Sequence, residues 1–346
     1  MAENAPIVVA GAGSVGQAFA GLLADSGESV VLVASKRTAE RLRKAGAIEI
    51  IGHVDKRVPV APKPSAGTVG LVDDPSQLSE ANGIIFTPKG QDLPGLARAL
   101  AHVKAGWVLG LENGVVKNDV LASAFGEDKV VGAATLIIVA RLDDGRIALA
   151  NPSTTFIGEV DGSKSERVEQ LGARLNAAGI PTRVEDNIRS VEWSKACNAV
   201  GAFSTTVLTR LPAMRMMASG DSARAFVSLA KEAREVARAS GVEVGDYQGF
   251  SIGSYTKGSV DEGVQAMMEH RARMASSGFH MPDNIPPPRT SMQQDVEAGR
   301  AMEVEEIFAD IVERGHRLGV PVPRLELARD LLRAINGAQQ AAAQHG

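Results

Sequence analysis

Gly11-Ala12-Gly13-Ser14-Val15-Gly16 has the G-x-G-x-x-G spacing of a turn that cradles a dinucleotide pyrophosphate. Each glycine has its own task. Gly11 permits the tight turn, Gly13 lets a phosphate approach the backbone, and Gly16 lets a helix pack against a strand. The helix that follows offers unpaired N–H groups and a positive dipole end to the phosphates. Further on, an NAD site usually carries Asp or Glu for the ribose 2′-hydroxyl. This chain has Ala34-Ser35-Lys36-Arg37 there. A hydroxyl and two cations suit a 2′-phosphate, so the expected cofactor is NADP(H) rather than NAD(H).

Four further positions carry chemistry. Lys89 and Asn113 each follow an apolar run that reads as a strand. Ligands in doubly wound folds bind beyond such carboxyl ends, although Asn113-Gly114 is also a common turn pair. Lys195 opens a largely uncharged helical run, and Asn198 shares its face. A Lys/Asn pair on one face suits an anionic oxo acid; a snorkelling surface lysine is the plain alternative. Ser291 begins Ser-Met-Gln-Gln, a spacing that reads as a helix N-cap. Glu303 stands beside an apolar stripe, where a carboxylate needs a reason to be. Asp295, Gly299 and Glu303 lie four apart and are expected on one helix face, and Arg300 has acids within reach.

These residues need elements to place them. Ile7–Ala10 reads as a strand, Gln17 to Ser26 as a helix, and Ser29 to Val33 as the next strand. A helix is expected from Thr38 to Ala45, then a less regular, strand-containing stretch to Pro62. Strands follow at Thr68–Val72, Gly83–Thr87 and Trp107–Leu111, with a helix at Leu93–Val103. Val130–Val139, Ile147–Leu149 and Thr155–Gly158 should complete the sheet, before a helix at Glu166–Ala178. Such alternation makes an α/β, doubly wound parallel sheet over residues 1–187. From 188 to 346 nearly every periodic segment is helical. Ala223 to Ser240 is one helix, and Ser259-x-x-Glu262 opens another by a capping box. Asp246 to Gly258 reads as a loop able to cover a cleft, and Met281 to Pro288 as a rigid connector. One long helix is expected from Ser291, with Val296, Val304, Ile307, Phe308, Ile311 and Val312 as its buried stripe. It should stop at Gly319; Leu325 to Ile335 is the last helix, and the tail from Gly337 should fray.

Composition narrows the classes. The chain has 346 residues, 44% hydrophobic, enough for two cores, and a net charge of −4. With few aromatics and no long basic run, nucleic acid is not an expected partner. One cysteine, Cys197, excludes an intrachain disulfide and fits a reducing compartment. The N-terminus lacks a secretory pattern and no apolar run could span a bilayer, so a cytoplasmic, membrane-free protein is expected. The six histidines show no metal-ligand spacing, and no metal is expected. A homodimer is compatible with this composition.

Taken together these residues resemble the ketopantoate reductase family. The resemblance rests on the glycine turn, Lys89, Glu112-Asn113-Gly114, Lys195, Ser291-Met-Gln-Gln-Asp through Glu303, and Gly319-Val-Pro-Val-Pro323. It implies an N-terminal Rossmann-type domain, an all-helical C-terminal domain, and reduction of a 2-oxo acid by NADPH. By resemblance Lys195 is the catalytic lysine, Asn113 lies between cofactor and substrate, and Lys89 is on the cofactor side. Ser291 would hold the substrate carboxylate and Glu303 its hydroxyl. Two departures stand out. The family's asparagine usually follows the lysine by four residues, and Asn198 follows by three. A second asparagine a turn later is replaced by Gly201-Ala202-Phe203-Ser204, which removes a polar contact. A different 2-oxo acid, an opine-type dehydrogenase, or a non-catalytic NADPH sensor therefore stay open. A sensor would not need the Lys195/Glu303 pair.

Overall fold

The computed structural model describes residues 5–276 and 289–345. The expected connector Met281 to Pro288 lies outside them. The chain divides into two units: one runs to Arg189 except for Asn113–Val115, and the other comprises Asn113–Val115 and the chain from Ser190.

The first unit is built on strands β1 (Ile7–Ala10), β2 (Val30–Val33), β3 (Ala47–Gly52), β4 (Lys56–Ala61), β5 (Val69–Val72), β6 (Glu80–Ala81) and β7 (Gly83–Phe86). They are followed by β8 (Lys104–Ala105), β9 (Val108–Gly110), β10 (Val131–Thr135), β11 (Ile138–Arg141), β12 (Ile147–Asn151), β13 (Thr155–Glu159) and β14 (Thr182–Val184). Its helices are α1 (Ser14–Asp25), α2 (Lys36–Ala45), α3 (Leu93–Leu100), α4 (Val116–Phe125) and α5 (Glu166–Ala177). The main sheet has the order β11-β12-β3-β4-β5-β2-β1-β7-β9. Its β4 to β9 part is parallel, while the β3–β4 and β11–β12 pairs are antiparallel.

The sheet is therefore mixed rather than wholly parallel. The second half of the expected strands also departs from expectation. β11 and β12 join the main sheet through β3, but β10, β13 and β14 form a sheet of their own. α4 was not anticipated: the Asn-Gly pair just before it reads as a turn, and its apolar residues form no clean stripe.

Alternate residues along the strands enter two cores. Ile7, Val9, Val30, Leu32 and Ile85 pack on one face with α1 and α5 residues such as Phe19 and Leu171. Val8, Ala10, Val31, Ile84 and Phe86 pack on the other with Leu93, Leu100 and Leu121. Both faces are covered, which is why these strands are apolar without alternation. Ala10 is level with Val33 and with Phe86. The residues just past these three strands thus emerge at one edge.

The second unit is helical: α6 (Ile188–Thr209, entered from the first unit), α7 (Ala213–Met216), α8 (Gly220–Ala239), α9 (Ile252–Thr256) and α10 (Val260–Ser276). Then come α11 (Ser291–Glu297), α12 (Asp310–Arg317) and α13 (Pro323–His345). Gly201 lets α6 lie against Phe226 of α8, whose ring a Cβ would meet at 2.8 Å. The capping box forms as expected: Ser259 N–H donates to Glu262 at 2.6 Å and Glu262 N–H to Ser259 Oγ at 3.2 Å.

Several expectations fail in this unit. Asp246 to Gly258 is not an open loop. It contains α9, and Phe250 and Tyr255 are buried. The Tyr255 hydroxyl lies 2.6 Å from His270 Nδ1, and burial pushes the phenol up to about 12. The long helix from Ser291 is broken: α11 ends at Glu297, Gly299 takes φ +64°, and Arg300 closes the turn on Asp295 at 3.0 Å. Helix resumes at Val304 with a π turn at Glu305–Ala309. Val304, Ile307, Phe308, Ile311 and Val312 are buried as expected, and Val296 is half-exposed. The tail does not fray at Gly337, because α13 runs on through the alanines. Among the described residues no helix is long and apolar enough to cross a membrane.

Candidate active site

The glycine turn sits at the edge where β1 and β7 end. Gly11 takes φ +115°, and a Cβ there would meet the Thr87–Pro88 backbone at 2.8–2.9 Å. A Cβ on Gly16 would run into the Gly11 carbonyl and Thr87 Oγ1. Gly13 differs. Its φ is an ordinary −70° and its nearest protein neighbour would be 4.0 Å away. The protein itself leaves that point open, as a ligand lying on the backbone requires. No side chain caps α1 and no acid stands in its first turn, which Ser14, Val15 and Gly16 form. Those free N–H groups fit a pyrophosphate. Two residues that sequence reasoning missed hold this turn. Thr87 Oγ1 donates to the Gly11 carbonyl at 2.7 Å, and Gln17 Nε2 to the Ala12 carbonyl at 2.8 Å. Thr87 comes seventy-six residues after Gly11, so local spacing could not reveal it.

This contrast is testable. Gly13→Ala should leave the melting temperature nearly unchanged and weaken dinucleotide binding at least tenfold. Gly16→Ala should destabilise the fold by about 1–3 kcal/mol or more through overpacking.

Ser35 caps α2, accepting from Thr38 N–H at 3.4 Å. Lys36 and Arg37 begin that helix and are exposed with Ser35, beside β2. Neither α2's first turn nor Ser35 brings an acid. Asp73, at the end of neighbouring β5, is taken up by Arg43 at 2.8 Å, and that hydrogen bond holds its carboxyl below the usual range. Asp74, the next acid, also interacts with Lys36 and has its hydrogen bonds from Ser76. Lys89 is half-exposed just past β7 and Thr87, at the start of a 3-10 turn over Gly90–Asp92.

In the second unit α6 carries Lys195 and Asn198. From Ser190 to Val207 every residue of this helix is buried except Lys195, Asn198, Ala202 and Phe203, which are half-exposed. The spacing puts Lys195, Asn198 and Ala202 along one face, with Phe203 off to its side. Cys197 faces the other way, fully buried, and burial pushes its thiol well up, so it offers no nucleophile here. Thr206, back on the Lys195 side of the helix, lies 2.9 Å from Thr290 through their hydroxyls. That contact seats the start of α11 on α6.

Ser291 is not the N-cap. Thr290 is, with extended backbone and its Oγ1 accepting from Gln293 N–H at 3.3 Å. The consequence is chemical: Ser291 Oγ is buried and has no hydrogen-bond partner among the described residues. An orphaned buried hydroxyl is costly unless a ligand satisfies it. Gln293 Oε1, which sequence reasoning did not single out, is orphaned likewise.

Glu303 is 3% exposed and lies in the segment between α11 and the π turn. It does not share a helix face with Asp295 and Gly299, because the helix has already ended. The turn at Asn113 reaches the π turn instead. Gly114, with φ +87°, presses so close to the Glu306 carbonyl that no Cβ would fit. The Asn113 turn therefore rests on the π turn three residues beyond Glu303. A π turn in a helix commonly marks a functional site. The second unit thus holds Asn113, Lys195, Asn198, Ser291 and Glu303, with Gly114 against Glu306 and Thr206 against Thr290 as the contacts between their elements.

Known proteins share this organisation. The model of the family described as "Ketopantoate reductase PanE/ApbA" matches residues 7–162, and that of its C-terminal domain matches 187–336. A 2-dehydropantoate 2-reductase of Halobacterium salinarum is 28% identical over 330 residues, covering 94% of this chain and 97% of its own length. One of Archaeoglobus fulgidus is 26% identical over 335 residues, covering 96% and 97%. The crystal structure of a PanE/ApbA family ketopantoate reductase from Ralstonia eutropha superposes with a TM-score of 0.77 at 25% identity, covering 97% of this chain and 99% of that one. A D-mandelate dehydrogenase solved with NADH and anilino(oxo)acetate shares the fold, with a TM-score of 0.78 at 18% identity, covering 97% and 99%. The two family models together take in both units, and the chain belongs to the ketopantoate reductase family.

Proposed function

We propose that this protein reduces a 2-oxo acid, ketopantoate or a close analogue, to the 2-hydroxy acid with NADPH. As a member of its family it is an oxidoreductase acting on a CH–OH group, with a nicotinamide cofactor. The observation that carries the substrate side is Lys195, a half-exposed cation that shares the mostly buried Ser190 to Val207 stretch of α6 with half-exposed Asn198. The phosphate specificity rests on Ser35, Lys36 and Arg37, which offer a hydroxyl and two cations where a carboxylate would repel a 2′-phosphate. Gly11, Gly13 and the first turn of α1 hold the pyrophosphate, with Lys89 on the cofactor side.

When bound, the reduced nicotinamide supplies the hydride that adds to the carbonyl carbon. Negative charge then grows on the carbonyl oxygen. The Lys195 ammonium stabilises that charge and passes a proton to the oxygen. Asn113 and Asn198 orient the substrate by hydrogen bonds. Ser291 Oγ donates to its carboxylate, which satisfies the hydroxyl the fold leaves orphaned. Glu303 takes a substrate hydroxyl and adds its field to that of Lys195.

Single-site kinetics separates these roles. Ser291→Ala should raise KM for the oxo acid about tenfold, the scale of a hydrogen bond to a charged group, with kcat little changed. Glu303→Gln should raise KM as strongly; an unchanged KM would move Glu303 to a purely structural role. The reading as a whole is tested by NADPH oxidation with ketopantoate and related 2-oxo acids. The protein is taken to act in the cytoplasm on a small molecule, which suits a single buried thiol and a net charge of −4.

A further inference from the structure

Arg41 of α2 is half-exposed, and among the described residues it has no carboxylate partner. Its Nη2 is buried and has no hydrogen-bond partner there either. Burial lowers the pKa of this guanidinium, and the charge of Arg141, at the end of β11, lowers it further. The side chain lies against the turn of the β11–β12 hairpin: a Cβ on Gly145 would meet Arg41 Nη1 at 2.8 Å. That turn carries two acids, and among the described residues neither forms an ion pair with Arg41 or Arg141. Asp144 accepts from Arg146 Nε and Nη2, each at 2.7 Å, and Asp143 is exposed. Two guanidiniums near one another without an acid repel, and a buried N–H left unpaired costs free energy. An anion removes both costs, and the planar fork of arginine matches a phosphate.

We propose that Arg41, supported by Arg141, is a further ligand of the 2′-phosphate of NADPH and so helps to set the cofactor preference. The inference rests on the NADPH reading above. Arg41 stands one turn after Arg37 on the same face of α2. Helical side chains lean toward the helix N-terminus, here the end that carries Ser35, Lys36 and Arg37. The partners differ in setting. Lys36 and Arg37 are exposed, so salt screens them, whereas Arg41 is partly withdrawn from water and is screened less. Arg41 therefore supplies the part of the phosphate preference that survives salt.

The test is the Kd of NADPH and NADH, with 2′-AMP, 5′-AMP and inorganic phosphate as probes, for wild type, Arg41→Met and Arg141→Met. Arg41→Met keeps the apolar stem and removes the fork. It should weaken NADPH and 2′-AMP by about 10- to 100-fold, the scale of a charge-assisted hydrogen bond, and leave NADH and 5′-AMP within about twofold. Arg141→Met should cost less, because Arg141 is exposed. Without ligand, Arg41→Met should melt no lower than wild type, since the orphaned N–H leaves with the guanidinium. NADPH affinity that Arg41→Met leaves unmoved overturns the inference while the NADPH reading stands, even if inorganic phosphate binds through Arg41. An equal loss for NADPH and NADH does the same, because it marks a structural role. Wild type that binds NADH as tightly as NADPH overturns the NADPH reading, and the inference with it.

Discussion

Replacing Lys195 with alanine should lower kcat by about 10²-fold or more, the scale of a lost acid catalyst, and leave NADPH affinity nearly intact. The two readouts should separate because the residues proposed for the two ligands' key groups belong to different units. The pyrophosphate turn is in the first unit, and Lys195 belongs to the second. Lys195→Ala removes both the proton donor and the positive charge that meets the developing oxyanion. Lys195→Arg keeps the charge but not a donor able to transfer its proton near neutral pH, since a guanidinium stays protonated. Its kcat should therefore stay well below wild type. A kcat within twofold of wild type for Lys195→Ala would remove the lysine from the chemistry.

The second large effect concerns the cofactor. Wild type should favour NADPH over NADH in kcat/KM. The double substitution Lys36→Glu/Arg37→Glu should weaken NADPH binding by about 10²-fold or more, since each charge-assisted bond contributes about 1.5–3 kcal/mol. NADH binding should change little, because no phosphate meets the patch. Salt should reproduce part of the effect in wild type, since exposed charges are screened. Equal use of NADH and NADPH by the wild type would reduce Lys36 and Arg37 to solvated helix-start residues.

Much of the first unit was legible because its signals are local. The glycine turn and the apolar strands each lie within a few residues, and each follows from backbone sterics or period. What escaped was decided at a distance. Thr87 locks the glycine turn from another strand, and the second sheet depends on how β10 and β13 pair across nineteen intervening residues. Near α11 the sequence offered two adjacent hydroxyls, Thr290 and Ser291, and spacing favoured Ser291 as the cap. The extended backbone at Thr290 made it the cap and left the Ser291 hydroxyl orphaned. The helix break after Glu297 hinged on the left-handed Gly299 and the Asp295–Arg300 pair, where a period of four predicted continuity. At the C-terminus, alanine's high helix propensity outweighed the expectation that a simple tail frays. The resemblance to the family covered residues in both units, with Ser291 through Glu303 and Gly319-Val-Pro-Val-Pro323 as its most specific part, since a glycine turn alone is common to many families.

The most direct measurement mixes the protein with NADPH and each of several 2-oxo acids, following NADPH consumption and the 2-hydroxy acid formed. The account predicts equimolar conversion with at least one acid, abolished or strongly slowed by Lys195→Ala. Tight NADPH binding with no 2-oxo acid reduced would contradict it and leave a dinucleotide-binding protein without this chemistry.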